Sequence, residues 1–185
     1  MKVGIAGVGG IGSNVAVHLI RAGCTCLKFV DFDRVELSNL NRQFYFVDQI
    51  GCYKVDMLKE NLLRIEPNAA IETARLRLTP ENMLDTFKDC QLLVEGFDEQ
   101  LSKKLLVETF ADQDISIISA SGIAGNEIDA IRVHRLGNCT IVGDFQTDFR
   151  SNSLYGPKIA VIAAMMADFV LKMVYPYFST GENPG

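Results

Sequence analysis

Glycines and charged side chains with the chemistry of a nucleotide site are concentrated in the first 54 residues of the 185-residue chain. An apolar segment from Val3 to Ala6 leads into a glycine-rich loop, and a helical pattern begins at Ile11. In such a loop one glycine permits a tight turn, another lets the backbone approach a phosphate, and a third lets helix and strand pack closely. The helix N-terminus adds free N–H groups and a favourable dipole for an anion. The glycines predicted to bind a nucleotide are Gly7, Gly9, Gly10 and Gly12.

A carboxylate follows the second apolar segment at the distance where a ribose-binding group is expected. Residues 26–30 have the pattern of a buried strand, and Asp31 comes directly after it. In dinucleotide-binding folds an acidic residue at this point binds the ribose hydroxyls. A NAD-dependent oxidoreductase of the Rossmann type would use the glycines and Asp31 in the same way, so it stays an alternative.

A dense run of charged and amide side chains follows Asp31, and a nicotinamide or flavin enzyme has no need of it. An arginine grips phosphate oxygens with a planar fork, and a lysine acts on the same polyphosphate as a point charge. A solvated loop with turn-forming asparagines is the alternative interpretation. Together with the glycine loop, the run favours ATP held for chemistry at its α-phosphate. The run comprises Asp33, Asn39, Asn41, Arg42, Gln43 and Lys54.

The order of these motifs resembles the ThiF/MoeB/HesA family, the bacterial relatives of ubiquitin-activating enzymes. The matching features are GxGGxG, DxD, NLNRQ at residues 39–43, and then Gly51 and Lys54, and the resemblance runs from Lys2 to about Val174. Short ThiF-type proteins of thiamine biosynthesis are especially similar. The resemblance implies ATP-dependent adenylation of the C-terminal glycine carboxylate of a small ubiquitin-like sulfur carrier protein ending in Gly-Gly, with release of pyrophosphate.

The resemblance also assigns roles by position. Asp31 would bind the ATP ribose and Arg42 and Lys54 the phosphates, while a magnesium ion would be bound by Asp98. The nucleotide site would further include Asp33, Asn39 and Gln43. Charge neutralisation at the α-phosphate needs no protein nucleophile, and the sequence contains no convincing Ser/His/Asp or Cys/His constellation. The resemblance thus implies that the catalytic residues are Arg42, Lys54 and Asp98.

The residues around Asp98 support its assignment independently. Residues 91–95 read as a core strand, and Gly96 releases the chain before a leucine-rich helix. Ligands of open α/β sheets lie beyond the carboxyl ends of the strands, so Asp98 is expected on the same edge as Gly9 and Asp31. A carboxylate oxygen suits Mg²⁺, which also relies on substrate phosphates. A helix N-cap role for this aspartate is the alternative.

Strand and helix patterns alternate along most of the chain, which predicts an α/β fold with a doubly wound, mostly parallel, Rossmann-like sheet. A hairpin around Gly137-Asn138 predicts an antiparallel addition at the C-terminal side. We expect one nucleotide-binding domain over residues 1–176 and a tail over 177–185. The predicted strands are 2–6, 26–30, 70–74, 91–95, 115–120, 128–136 and 139–142, and the predicted helices are 11–22, 53–64, 80–87, 99–111 and 157–174.

Composition excludes several classes of protein. The net charge is −5 and the basic residues are scattered, so no footprint for nucleic acid is present. The apolar stretch 159–167 is too short to span a bilayer. The 5 cysteines lack paired C-x-x-C spacing, so neither zinc nor a disulfide framework is expected. These features predict a cytoplasmic protein without nucleic-acid or membrane partners.

Two segments leave the mechanism open. The loop 144–156, with Asp144, Asp148, Arg150 and Asn152, is either a flexible connector or a lid over the carrier's tail. Cys139 is the nearby candidate for sulfur transfer, although burial in a strand would suppress its thiolate.

The start of the chain and its last helix are relevant to whether the protein forms a dimer. The chain starts at the first strand, whereas longer members of the family have a preceding segment that supplies an arginine to the partner subunit's ATP, so a catalytically weak carrier-binding scaffold stays an alternative. The run 159–166 is apolar on every face, and such a helix must be covered all round. We therefore expect a homodimer.

Overall fold

The fold is built on a seven-stranded sheet in the computed structural model, which describes residues 1–148 and 152–176. The strands are β1 (Val3–Ala6), β2 (Cys26–Val30), β3 (Ala70–Ala74), β4 (Leu92–Glu95), β5 (Ser116–Ala120), β6 (Arg132–Leu136) and β7 (Cys139–Gly143). The helices are α1 (Gly10–Arg21), α2 (Lys54–Leu63), α3 (Pro80–Phe87), α4 (Gln100–Phe110) and α5 (Gly156–Val174).

The strands are ordered β3-β2-β1-β4-β5-β7-β6 across the sheet. Every neighbouring pair is parallel except the β6–β7 hairpin. In the central register Ile5 lies between Phe29 of β2 and Val94 of β4. The strand order reverses at β1, where open α/β sheets bind their ligands. This architecture confirms the predicted fold class, including the antiparallel addition.

Helices cover both faces of the sheet, and each face has its own hydrophobic core. Leu19 of α1, Leu58 of α2 and Ile162 of α5 pack into one core. Phe87 of α3 and Phe110 of α4 belong to the other, where their rings meet edge to face at 6.4 Å. Because both faces are covered, the inner strands are continuous apolar runs, as parallel sheets require.

One edge of the sheet stays open to solvent. All five residues of β6 are exposed, and the strand pairs with β7 alone among the described strands. Its first residue is Arg132, although the sequence pattern predicted a start at residue 128. Residues 128–131 instead form a turn, in which the Ile131 N–H donates to the Ile128 carbonyl at 3.1 Å.

Two single-turn 3-10 helices, Leu37–Asn39 and Val47–Gln49, interrupt the connection from β2 to α2. Neither was predicted, since each is stabilised by a side chain rather than by periodic apolar residues. The Glu36 N–H donates to Asn39 Oδ1 and the Phe46 N–H donates to Gln49 Oε1, both at 3.1 Å.

Among the described residues, no helix is both long and apolar enough to cross a bilayer. The predicted tail 177–185 lies outside the described residues, so the domain boundary at 176 stays a prediction.

Candidate functional site

An open cavity lies at the carboxyl edge of the sheet, where β1, β2, β3 and β4 end. It collects side chains and backbone from sequence segments that are far apart. Most of the predicted site residues line it: Gly7, Gly9, Gly10, Asp31, Asp33, Arg42, Gln43, Lys54 and Asp98.

The glycines of the loop divide into two groups by what surrounds them. Gly7 has a φ of +83°, and a Cβ on Gly12 would lie 2.0 Å from the Gly7 carbonyl oxygen. A Cβ on Gly96 would lie 2.5 Å from the same oxygen. Gly9 differs, because its Cβ would meet only the Gln43 amide, at an ordinary 3.7 Å. The fold therefore requires glycine at Gly7, Gly12 and Gly96, while at Gly9 the missing side chain leaves room for a ligand.

The glycine loop is tied to the segment that carries Arg42. The Ser13 hydroxyl donates to the Gly9 carbonyl at 2.6 Å, and Asn14 Nδ2 donates to the Arg42 carbonyl at 2.8 Å. The buried Tyr45 hydroxyl donates to the Val8 carbonyl at 2.7 Å. These hydrogen bonds fix the glycine loop and the segment that carries Arg42 relative to each other.

Asp31 lies between the glycine loop and the charged segment. Its two carboxylate oxygens accept hydrogen bonds from the Val8 and Asp33 N–H groups, each at 2.8 Å. Burial raises the pKa of Asp31, while the two N–H donors and the charge of Lys54 oppose that shift. Each carboxylate oxygen retains a lone pair that can accept from a sugar hydroxyl.

Two cations line the cavity beyond Asp31. Lys54 is buried, and its ammonium donates to Asp33 Oδ2 at 3.0 Å. Arg42 donates from Nη1 to the Ser38 carbonyl at 2.7 Å and to Asn41 Oδ1 at 2.8 Å. Within the described residues all side-chain hydrogen bonds of Arg42 use Nη1, so Nη2 and Nε are available to an anionic ligand.

Gln43 contributes a buried polar atom that lacks a protein partner. Its Oε1 accepts no hydrogen bond from the described residues. Leaving a buried acceptor unpaired costs about 1–3 kcal/mol. Because Gln43 lines the cavity beside Gly9, a ligand donor such as a hydroxyl would satisfy it.

Two predicted site residues lie behind the cavity surface. Asn39 is not among the lining residues, and its side chain instead caps the 3-10 helix that precedes Arg42. Its carbonyl accepts from the Arg42 and Gln43 N–H groups. Gly12 also lies underneath, where it allows α1 to approach β1. Both residues position the surface without forming it.

Asp98 is exposed at the end of β4, and no hydrogen bond or ion pair within the described residues involves its carboxylate. The alternative N-cap role is wrong, because α4 begins at Gln100 and Glu99 is its N-cap. Glu95 stabilises the turn before Asp98. Its fully buried carboxylate accepts hydrogen bonds from the Phe97 N–H, the Ser119 hydroxyl and the Lys103 ammonium at 2.6–3.0 Å. Sequence patterns showed Glu95 only as the end of a strand.

A second, smaller cavity adjoins the first on the β5 side. Asp98, Ile123 and Leu154 line both, and Lys103 and Thr147 line the second. The loop 144–156 thus forms part of its wall through Thr147 and Leu154. Arg150, singled out in the sequence, lies outside the described residues.

A buried ion pair anchors the start of that loop. The ammonium of Lys158 is fully buried and donates to Asp144 Oδ2 at 2.6 Å and to the Ala124 carbonyl at 2.5 Å. Asp144 Oδ1 accepts from the Gln146 and Thr147 N–H groups. The segment up to Thr147 is therefore fixed, which favours a shaped wall over a flexible connector.

Sequence reasoning missed the lining residues that follow β3. Leu76, Arg77 and Leu78 line the first cavity, together with Phe32 from the DxD motif. The rule that located Asp98 also applied to the end of β3, so their position beyond residue 74 was the available signal.

Cys139 does not reach either cavity. It is buried in β7, and burial raises the pKa of its thiol to about 11. The thiolate needed for sulfur transfer is thus strongly disfavoured at this position.

Comparisons with known proteins agree with this geometry. The chain is 27% identical to the adenylyltransferase and sulfurtransferase UBA4 of Saccharomyces cerevisiae over 98% of its own length, and spans 43% of that relative. The chain is also 40% identical to ubiquitin-like modifier-activating enzyme 5 of Caenorhabditis elegans. That match covers 46% of this chain and 20% of the relative. The ATP complex of Escherichia coli tRNA N6-threonylcarbamoyladenosine dehydratase, TcdA, shares the fold with a TM-score of 0.85 at 17% identity, covering 98% of this chain and 88% of that one.

The family model described as "ThiF family" matches residues 1–184. That match includes every strand of the sheet and the three motif segments GxGGxG, DxD and NLNRQ. The resemblance of the GxGGxG, DxD and NLNRQ motifs is confirmed, and the chain belongs to the ThiF family.

Proposed function

We propose that this chain binds ATP and adenylates the C-terminal glycine carboxylate of a small ubiquitin-like sulfur carrier protein, with release of pyrophosphate. The observation that carries the proposal is the single edge of the sheet on which the glycine loop, Asp31, two cations and Asp98 converge around one cavity. The yeast relative's name, an adenylyltransferase and sulfurtransferase, and the nematode relative's name, a ubiquitin-like modifier-activating enzyme, support the reaction and the acceptor class.

The strand order gives the nucleotide a direction. The glycine loop follows β1 and offers the N-terminus of α1 to phosphate, while Asp31 follows β2 and offers a carboxylate to ribose. The base then lies toward the end of β3. On the other side of β1, Asp98 follows β4 and the second cavity follows β5. An acceptor carboxylate therefore approaches the α-phosphate from the β5 side.

The chemical step joins two anions. An oxygen of the acceptor carboxylate attacks the α-phosphorus, the bond from phosphorus to the oxygen bridging the β-phosphate breaks, and pyrophosphate leaves with that electron pair. Negative charge is spread over the phosphate oxygens during transfer. Arg42 through Nη2 and Nε, and Lys54 through its ammonium, would neutralise that charge, and their position in the lining of the cavity supports this role.

The Asp98 carboxylate fits the donor chemistry of a magnesium site. It is exposed into the cavity and pairs with no cation among the described residues, and Mg²⁺ is commonly bound by one or two carboxylates together with substrate phosphates. When bound there, the ion would neutralise phosphate charge. No cluster of three or more His, Cys, Asp or Glu side chains suited to a metal occurs in the described part of the chain.

The acceptor's tail is assigned to the second cavity. The Asp144–Lys158 pair fixes the part of the wall at Thr147, and Leu154 completes the wall, so an extended Gly-Gly terminus is assigned to this cavity. Lys103 is a cation in the lining of this cavity, although its ammonium already donates hydrogen bonds to Glu95 and to the Ala120 carbonyl. A diglycine terminus meets little steric resistance because it lacks side chains.

ATP–pyrophosphate exchange with purified carrier proteins tests the proposal. We expect exchange that depends on a carrier ending in Gly-Gly and that disappears when the terminal glycine is deleted. The control is the same carrier with an added C-terminal alanine, which keeps the fold and moves the carboxylate. ATP binding without exchange for every Gly-Gly carrier would instead indicate the carrier-binding scaffold.

A further inference from the structure

We propose that Arg77 and Phe32 form the base-binding end of the nucleotide cavity, with the guanidinium providing a planar surface on which a purine base stacks. The inference rests on the proposed function, because it takes ATP as the ligand. Arg77 lies outside the motifs that identify the family, Phe32 occupies the variable middle position of the DxD motif, and both were absent from the predicted site.

The position of the two residues follows from the sheet. Phosphate is assigned to the loop after β1 and ribose to Asp31 after β2, so a nucleotide continues toward the end of β3. The segment there, Leu76 to Leu78, lines the same cavity as the glycine loop, and Phe32 is adjacent to Asp31. The base is therefore expected against this segment.

The contacts of Arg77 leave its guanidinium suited to stacking. Its central carbon lies 3.9 Å from the centroid of the Phe32 ring. Within the described residues no carboxylate forms an ion pair with it, whereas the neighbouring Arg75 pairs with Asp56 at 2.6 Å. Phe32 is itself 43% exposed and Leu76 is 37% exposed. A planar cation on an aromatic ring, beside apolar side chains, resembles the surfaces on which bases stack.

Two variants of Arg77 distinguish the effect of its planar guanidinium from the effect of its positive charge. Arg77→Lys keeps the positive charge and loses the planar fork, whereas Arg77→Met loses both and keeps an unbranched stem. We expect either variant to raise the Kd of ATP on the order of tenfold, the range found when one stacking surface is lost. Phe32→Leu, which removes the ring beneath the guanidinium, is expected to act in the same direction.

Inorganic tripolyphosphate is the matched ligand, since it carries the phosphates without the base. We expect Arg77→Lys to leave its Kd unchanged. Arg75→Met is the matched protein control, because Arg75 also lies over an aromatic ring, that of Tyr53 at 4.6 Å, but does not line the cavity. Its Kd for ATP should equal that of the wild type.

Isothermal titration calorimetry of the full chain measures the Kd values of ATP and tripolyphosphate. A wild-type Kd for ATP in Arg77→Lys would overturn the base-stacking role and leave adenylation standing, because ATP would still bind. An equal loss for ATP and tripolyphosphate would also overturn it, in favour of simple charge attraction. A wild-type protein that binds tripolyphosphate but not ATP would refute the proposed function and the base site together.

Discussion

At the scale of single residues, the structure separates side chains that face the ligand from those that shape the cavity. Gly9 and Gln43 have space or an unpaired atom on the ligand side, whereas Gly12 and Asn39 are used entirely by the protein. A motif written in one-letter code does not distinguish these two groups. The distinction depends on what packs behind each residue, and that is set by contacts with distant parts of the chain.

Asp98 provides the sharpest test of a single residue. Asp98→Asn removes the charge and retains the size, so we expect carrier-dependent pyrophosphate exchange to fall roughly a hundredfold while ATP binding without metal changes little. The magnesium concentration for half-maximal exchange should rise. Asp112→Asn makes the same chemical change on an exposed residue that precedes β5 at the opposite edge, and should behave as the wild type. An Asp98→Asn enzyme with unchanged activity and magnesium dependence would remove the metal assignment.

At the scale of elements, the Asp144–Lys158 pair connects the loop after β7 to the first turn of α5. Asp144→Asn leaves the fully buried Lys158 ammonium without its counter-ion, and breaking such a pair costs about 3–5 kcal/mol in the free energy of unfolding. We expect Asp144→Asn combined with Lys158→Met to be more stable than Asp144→Asn alone, as measured by urea denaturation. Lys172→Met, which breaks the exposed pair with Asp168, should cost less than about 1 kcal/mol.

The same pair predicts a pH dependence. Burial alone would raise the pKa of Asp144, but hydrogen bonds from Lys158, Thr147 and Gln146 outweigh it and lower the pKa to about 2. A depressed pKa stabilises the folded protein above the ordinary value of 3.8, and the contribution is lost as the pH falls from there toward 2. The stability gap between wild type and Asp144→Asn should therefore stay constant near neutral pH and narrow below about pH 4. A gap that is unchanged at pH 3 would contradict this.

Most elements could be predicted from local patterns, and the exceptions have local physical reasons. The helix at Pro80 begins where Thr79 and proline indicate, with the Thr79 N–H bonded to Asn82 Oδ1 at 2.9 Å. The 3-10 turns at Leu37–Asn39 and Val47–Gln49 have no apolar period, so no pattern marks them. The Glu95 network likewise joins groups from β4, β5 and α4, which are brought together only by the sheet order.

At the scale of the whole molecule, the exposed side of α5 motivates the expected homodimer. The helix packs its buried side on the core, and Ala160, Val161 and Ala164 remain exposed on the other. We expect sedimentation velocity at micromolar concentration to give a species of about twice 20.4 kDa, and Val161→Lys to reduce it to the monomer. Leu84→Lys, a change at a somewhat more exposed position on α3, should leave the dimer intact. A 20.4 kDa species alone in the wild type would reject the prediction.

The open strand β6 has a consequence for behaviour in concentrated solution. An unpaired edge offers hydrogen-bonding groups to any other edge, and long apolar edges drive aggregation. Here Arg132 and Arg135 flank Val133 and His134 on the exposed strand. If two copies met along β6 in antiparallel register, with Val133 opposite His134, each Arg132 would face Arg135 of the other copy, and like charges directly opposite are unfavourable. Salt screens such repulsion, so the colloidal stability of the protein depends on ionic strength through these two arginines.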